Sequence, residues 1–361
     1  MKRNTLLALA ATLALAACGG EEKKESIVVV SWGGAYTKSQ TEAYQKPYTA
    51  MTGVAIQSID YNGGIAEVKA QAESGNVSWD IVDFEVADAM RACDEGLLER
   101  LNPADLPPAP DGTPAMQDFV PGGATDCYVA TIVFSTIIAY DKTKFATAPS
   151  RAADFFDLVN YPGKRGLRRQ NPKATLELAL LADGVAPADI YTVLSTKEGL
   201  DRAFRKLDSI KAQVVWWETG SQPPQLLADG EVVMTTAYNG RIFDAQVVDQ
   251  KPFGVIWDGE MMDLDVWGIV KGAPHRDRAW DFLKFSTDTQ RLADQARWIA
   301  YAPARKSSLP LVSTHAERGV AMMPYMPTAP ENSRNAVILD HRWWADRQDE
   351  INQRWNAWLT Q

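Results

Sequence analysis

Ile27-Val28-Val29-Val30-Ser31-Trp32-Gly33-Gly34-Ala35-Tyr36 reads as a short buried strand running into a glycine-broken loop. Four consecutive β-type apolar residues suit a strand covered on both faces, and the paired glycines suit a tight turn ahead of a helix. The helix follows at once, because residues 37–52 are amphipathic and stop at Gly53. The unit then repeats. A strand is expected over 54–59, a helix over 65–74 closed by Gly75, a strand over 79–83 and a helix over 86–95 closed by Gly96. Such alternation is the pattern of a doubly wound α/β unit around a largely parallel sheet.

Further along, the apolar run 129–140 is long for one strand and ends at Asp141-Lys142, so it is expected to leave one lobe and enter another. Beyond it the patterning predicts helices over 153–157, 175–183, 200–208, 222–229 and 276–288, and strands over 164–169, 214–217, 232–237 and 266–270. The chain closes on a long amphipathic helix over 340–359. Its Trp343, Trp344, Trp355 and Trp358, with Trp280 and Trp298, are read as packing residues. Lys164, Arg165, Arg168 and Arg169 are read as a solvated strand edge, the alternative being that Arg168 or Arg169 reaches an anionic ligand group.

Upstream, Met1-Lys2-Arg3 precedes an apolar stretch over 6–17 that is too short for a permanent membrane span. Leu15-Ala16-Ala17-Cys18 fits a lipobox, so residues 1–17 are expected to be a signal peptide, Cys18 to carry lipid, and 18–26 to be a solvated tether. The expected address is periplasmic, anchored to the membrane through Cys18. The formal charge of −9 becomes −11 without Lys2 and Arg3, which argues against a nucleic-acid partner. About 335 mature residues exceed a single hydrophobic core of about 250 to 300, so two lobes are expected. Cys93 and Cys127, the pair left once Cys18 is lipidated, are expected to form a disulfide in an oxidising compartment; its loop of about 35 residues would contribute about 3–4 kcal/mol.

His275, His315 and His341 are widely spaced, giving no helix-spaced zinc pair and no triad. No metal centre, catalytic residue or cofactor is expected, and the chain reads as a binding protein rather than an enzyme. Two alternatives stay open: a lipid-anchored enzyme acting on exported or cell-wall substrates, and a ferric-ion-binding protein, for which Tyr301 and Tyr325 are poorly spaced.

Four ordered segments carry a resemblance. They are Ser31-Trp32-Gly33-Gly34-Ala35-Tyr36; Trp79-Asp80-Ile81-Val82 with Cys93-Asp94-Glu95-Gly96-Leu97-Leu98; Trp216-Trp217-Glu218 through Gln225-Leu226-Leu227 to Gly240-Arg241; and Asp263-Leu264-Asp265-Val266-Trp267-Gly268-Ile269. Together they resemble the periplasmic substrate-binding proteins of ABC importers for spermidine, putrescine and related amines. The resemblance implies a two-lobed, type II-like α/β fold, each lobe a mixed sheet flanked by helices, joined by a two-crossing hinge. We place 27–138 with 264–304 in the first lobe and 139–263 with 305–361 in the second. It further implies a monomer that binds a small amine in the cleft and delivers it to ABC permease subunits, with the ATPase subunit engaged indirectly.

An ammonium group needs a carboxylate and aromatic faces to replace its hydration. Trp32, Tyr36, Trp217, Glu218, Tyr238, Asp263 and Asp265 supply both, and Gly33 and Gly34 add backbone amides. By the resemblance Asp265 takes the ligand amine, while Asp263 stands where the polyamine binders keep an aromatic residue. Arg241 is the residue that a polyamine does not need: it either holds the carboxylate of a zwitterion such as γ-aminobutyrate or pairs at the surface with Asp244 or Glu260.

Overall fold

The computed structural model describes residues 25–361, so Cys18, the signal segment and most of the tether lie outside the described residues. Eight main strands build one sheet: β1 (Ser26–Ser31), β2 (Ala55–Asp60), β3 (Ile81–Glu85), β4 (Tyr128–Asp141), β5 (Arg165–Arg168), β6 (Val214–Trp217), β7 (Met234–Tyr238) and β8 (Phe253–Ile269). Their spatial order is β2-β1-β3-β8-β4-β7-β5-β6. Pairing is parallel at both ends, β2 on β1 on β3 and β7 on β5 on β6, and antiparallel through β3, β8, β4 and β7 in the middle. Each parallel end is a doubly wound lobe whose crossovers are helices.

β4 and β8 are the two crossings. Tyr128–Val133 pairs with Leu264–Gly268 in the first lobe, whereas Ile138–Asp141 pairs with Phe253–Ile256 in the second, with register shifts at Ala130/Ile132 and Thr136/Ile138. The second of these sits where the strand passes from lobe to lobe, and such irregularities twist a strand locally. β4 matches the crossing segment expected from sequence. β8 does not: a return strand over 266–270 is in fact a 17-residue strand. Gly254, Asp258, Gly259, Glu260, Asp263 and Asp265 break its apolar run; Asp263 and Asp265 line cavities, while Asp258 accepts from the Ala152 amide and Asn335.

The cores separate accordingly. Val29, Val82, Val129, Val266 and Trp267 belong to one buried cluster, and Leu167, Leu176, Phe204, Trp344 and Trp355 to another. The boundary placed at 305 needs correcting on packing grounds. Leu309, Val312, Met322 and Met326 pack into the first core, and only from Val337 onward does the chain join the second. The long C-terminal helix His341–Leu359, capped by Asp340, seals that second core with its tryptophans. It also meets the first-lobe helix Val86–Asp94 through polar contacts, Arg91 to Asp349 (3.0 Å), Arg342 to Asp94 (2.8 Å) and Gln348 to Asp88 (2.9 Å). Cys93 at the end of that helix is bonded to Cys127.

The basic strand is also corrected. β5 is an interior strand in which Arg165 is fully buried, its guanidinium donating to the carbonyls of Phe155, Tyr161 and Gly163 at 2.5–2.7 Å. It is a staple for a turn, not a solvated edge; Lys164 and Arg169 alone are exposed.

Glu260 on β8 is buried beside the Ser135 hydroxyl, with neither carboxyl oxygen bonded, and burial pushes its pKa up to about 8. The folded chain therefore holds this proton more tightly than the unfolded chain, and folding stability falls as pH rises from the ordinary carboxylate range towards 8. Glu260→Gln is expected to remove that slope, gaining about 1–3 kcal/mol at pH 8 and almost nothing at pH 5, where the parent side chain is already neutral. Thermal melts at both pH values check this, and an equal change at both would refute it.

Candidate functional site

The register of the sheet assembles the site. Glu85 on β3 pairs directly with Asp265 on β8, and Asp83 and Asp263 lie two residues away on the same pleated face. Across β8, Ile132 and Phe134 of β4 face Asp265 and Asp263, and Thr136 beyond them pairs with Tyr238 of β7. One face of the central strands thus carries four carboxylates next to an aromatic wall, where the lobes meet. The cavity over this face measures about 480 Å³ counting its open mouth.

Trp32, Tyr36, Glu218, Tyr238, Arg241 and Asp265, six of the residues expected from sequence, line this cavity. Four do not. Trp217 and Asp263 line an adjoining cavity, Trp217 standing edge-on to Tyr238 at 5.8 Å as its support. The Gly33 amide is already bonded to Thr37 Oγ1 at 2.9 Å and has no hydrogen left for a ligand. Gly34 serves instead by having no side chain: at φ 55° a Cβ there would come within 2.7 Å of Arg241 Nη1. Gly220 acts alike, since a Cβ would meet the Tyr238 ring at 2.9 Å.

Sequence reading missed Tyr61, Asn62, Glu85, Phe134, Thr219, Gly220 and Tyr301 as lining residues and offered Arg168 only as the alternative to a solvated edge. A signal existed for one of them: Asp83 and Glu85 are alternate carboxylates in the fully buried strand Ile81–Glu85, which such groups enter only with a purpose. Tyr301 packs in a small cluster of its own with Tyr36, Ile132, Phe134 and Ile299, and no local pattern marks it.

Charge divides the site into paired and unpaired groups. Glu85 bonds Lys173 and accepts from Arg168 Nη1 at 2.9 Å; burial raises its pKa, but Lys173 and Arg168 outweigh this and hold it below the usual range. Asp263 is likewise held low, against burial, by Lys173 Nζ at 2.6 Å and His341 Nε2 at 3.0 Å. Asp83 is tied to Ser31 and Gln40, and burial pushes it up to about 7. Asp265 is different. It is 6 % exposed, its Oδ1 is buried with no hydrogen-bond partner, and burial together with the charges of Asp83, Glu85 and Asp263 drives its pKa well up.

Arg241, from the first turn of the helix Asn239–Val247, is the matching orphan of opposite sign. Nη2 donates to the Trp32 carbonyl at 3.1 Å across the cleft, Nε is buried without a partner, and no carboxylate among the described residues lies within ion-pair distance. The surface pairing with Asp244 or Glu260 is therefore not what the structure shows. The Tyr301 phenol feels both Arg241 and Asp265. Tyr36 and Tyr301 meet edge to face at 5.5 Å, and Trp32 packs against Tyr61 at 5.0 Å. Burial raises the phenol pKa of Tyr36, Tyr238 and Tyr301, and a guanidinium stands among them where a ferric ion would ask for anions.

Residues 43–324 match the family described as bacterial extracellular solute-binding protein. The γ-aminobutyric acid-binding protein of Pseudomonas aeruginosa is 44% identical over 342 residues, covering 95% of this chain and 93% of that one. Among solved structures, the binding protein MotA of A. tumefaciens B6 in complex with glucopine has a TM-score of 0.83 at 33% identity, over 92% of this chain and 99% of its own. The Atu4243 GABA receptor has a TM-score of 0.78 at 30% identity, over 93% and 98% of the two chains.

Proposed function

The chain belongs to the bacterial extracellular solute-binding family, and on that premise we propose that its ligand is a short ω-amino acid, γ-aminobutyrate or a close analogue. One observation carries this reading: among the described residues lining the cavity, Asp265 is the buried carboxylate without an ion-pair partner and Arg241 the guanidinium without one, while Glu85 and Arg168 pair with each other and Glu218 is exposed at the rim, 4.0 Å from Arg169. A zwitterion with separated termini satisfies both. A diamine satisfies Asp265 and sets an ammonium against Arg241. Trp32, Tyr36 and Tyr238 supply aromatic surface for the ammonium and the short chain between the ends.

The protein works outside the cytoplasm as the capture component of an ABC importer. Binding draws the lobes together about β4 and β8, and the closed form is presented to the permease. A diacyl anchor on Cys18, with residues 19–26 as tether, would keep this carrier near its membrane partner without restricting the lobes. The anchor is testable by its mobility shift when Cys18→Ala is expressed.

Calorimetric titration with γ-aminobutyrate, glucopine, putrescine and spermidine tests the ligand class. γ-Aminobutyrate is expected to bind at least about 100-fold more tightly than either polyamine, a difference of about 3 kcal/mol. Putrescine binding as well as γ-aminobutyrate, or neither binding at millimolar concentration, would overturn the reading.

A further inference from the structure

Lys173 occupies a place that a ligand could have filled. Its ammonium bonds Glu85 and lies 2.6 Å from Asp263 Oδ2, so it sits between two buried carboxylates on the face that also carries Asp265. Cross-strand carboxylates repel one another, and three together need a cation. Arg168 reaches Glu85 and His341 reaches Asp263 from the sides, but Lys173 alone bridges both. The cavity around its side chain shares Glu85, Phe134, Arg168 and Tyr238 with the ligand cavity, so the two adjoin. That second cavity also has an aromatic wall in Trp217.

We propose that Glu85 and Asp263 form a second ammonium subsite which Lys173 fills from within, and that this internal occupant limits the ligand to one cationic group. The specificity claim rests on the ligand class proposed above; the subsite claim does not. Lys173 belongs to the second lobe and Glu85 to the first, so the subsite is completed as the lobes meet. The two ammonium positions, at Asp265 and between Glu85 and Asp263, are set by residues two apart on a strand, about 6.6 Å. Four- or five-carbon diamines span such a distance. A lysine in this place therefore excludes linear diamines by occupancy and by charge, while leaving Asp265 open for a single ammonium.

The test uses the full chain with Lys173→Ala, which empties the subsite, and Lys173→Met, which removes the charge but keeps the bulk. For Lys173→Ala we expect putrescine and cadaverine affinity at least about 100-fold above the parent. We also expect methylammonium, but not tetramethylammonium at equal ionic strength, to raise its melting temperature. Lys173→Met should show neither gain. An alanine variant that gains no diamine affinity and responds equally to both ammonium salts, or that stays unfolded in every amine, would overturn the proposal. If the parent fails to bind γ-aminobutyrate while methylammonium still rescues Lys173→Ala, the ligand class fails and the subsite stands. Diamine gain by both variants would show that charge alone, not occupancy, excludes these ligands, and would also overturn it.

Discussion

Asp265→Asn is expected to weaken γ-aminobutyrate binding by about 2–5 kcal/mol, roughly 30- to 5,000-fold, with no loss of folding stability. Asn preserves the shape of the cavity and removes only the charge. In the free protein burial and the charges of Asp83, Glu85 and Asp263 hold the Asp265 proton well above the usual carboxylate range. Its ionised form is therefore a cost that the fold carries until an ammonium arrives. Linkage fixes two signs. Folding stability contributed by this residue falls as pH rises from the ordinary range into the raised one, so the amide should melt at the same temperature as the parent or higher at pH 8. Binding runs the other way: an ammonium favours the ionised carboxylate, so it expels a proton and affinity climbs with pH until Asp265 is ionised in the free protein. Titrations from pH 5.5 to 8.5 should show this slope in the parent and a shallower one in the amide. An amide variant that binds within about twofold of the parent would remove Asp265 from the site.

The sequence reads well where one rule governs. Ile27–Val30, the following glycines and the capped helices are legible because apolar periodicity and left-handed glycines act locally. β4 is legible because no charged residue interrupts it before Asp141 and its polar members, Thr131, Ser135 and Thr136, are small. β8 is obscured by the residues that make the site, since Asp263 and Asp265 look like a loop until the partners that neutralise or use them are known. The site follows the same division. Trp32, Tyr36, Tyr238 and Arg241 lie at strand ends or helix starts, where α/β proteins gather ligand groups, and could be nominated, whereas Asp265 lies inside β8 and is nominated through the resemblance. Glu85, Arg168 with Lys173, Asp263 and His341 form a single network from four separate parts of the chain, and only the tertiary fold joins them. Reading Lys164–Arg169 as an exposed edge failed for a related reason: a guanidinium can be buried when carbonyls face it, and no sequence pattern reports Phe155, Tyr161 and Gly163 turning their oxygens towards Arg165.

Arg241→Ala is expected to cost γ-aminobutyrate about 2–4 kcal/mol and n-butylamine almost nothing. The two ligands differ chiefly in the carboxylate, so their difference isolates the contact from any general loosening of the cleft. Two cations line the cavity, and their partners decide between them. Arg168 already spends Nη1 on Glu85, whereas Arg241 makes one bond to a neutral carbonyl and leaves Nε buried and unsatisfied. A ligand carboxylate meets an unmet need at Arg241 and a competitor at Arg168. Arg241 also spans the cleft to Trp32, so a carboxylate bound there should draw the lobes together, and the alanine variant should lose the tryptophan fluorescence change along with affinity. Arg241→Lys separates charge from shape: an ammonium keeps the attraction but not the planar fork, and about tenfold weaker binding is expected if the contact is bidentate. Loss of both ligands in equal measure from a folded alanine variant would make Arg241 a brace for Trp32 and leave the carboxylate without a partner. Since the ligand class rests on that partner, the same result would return the site to simple amines.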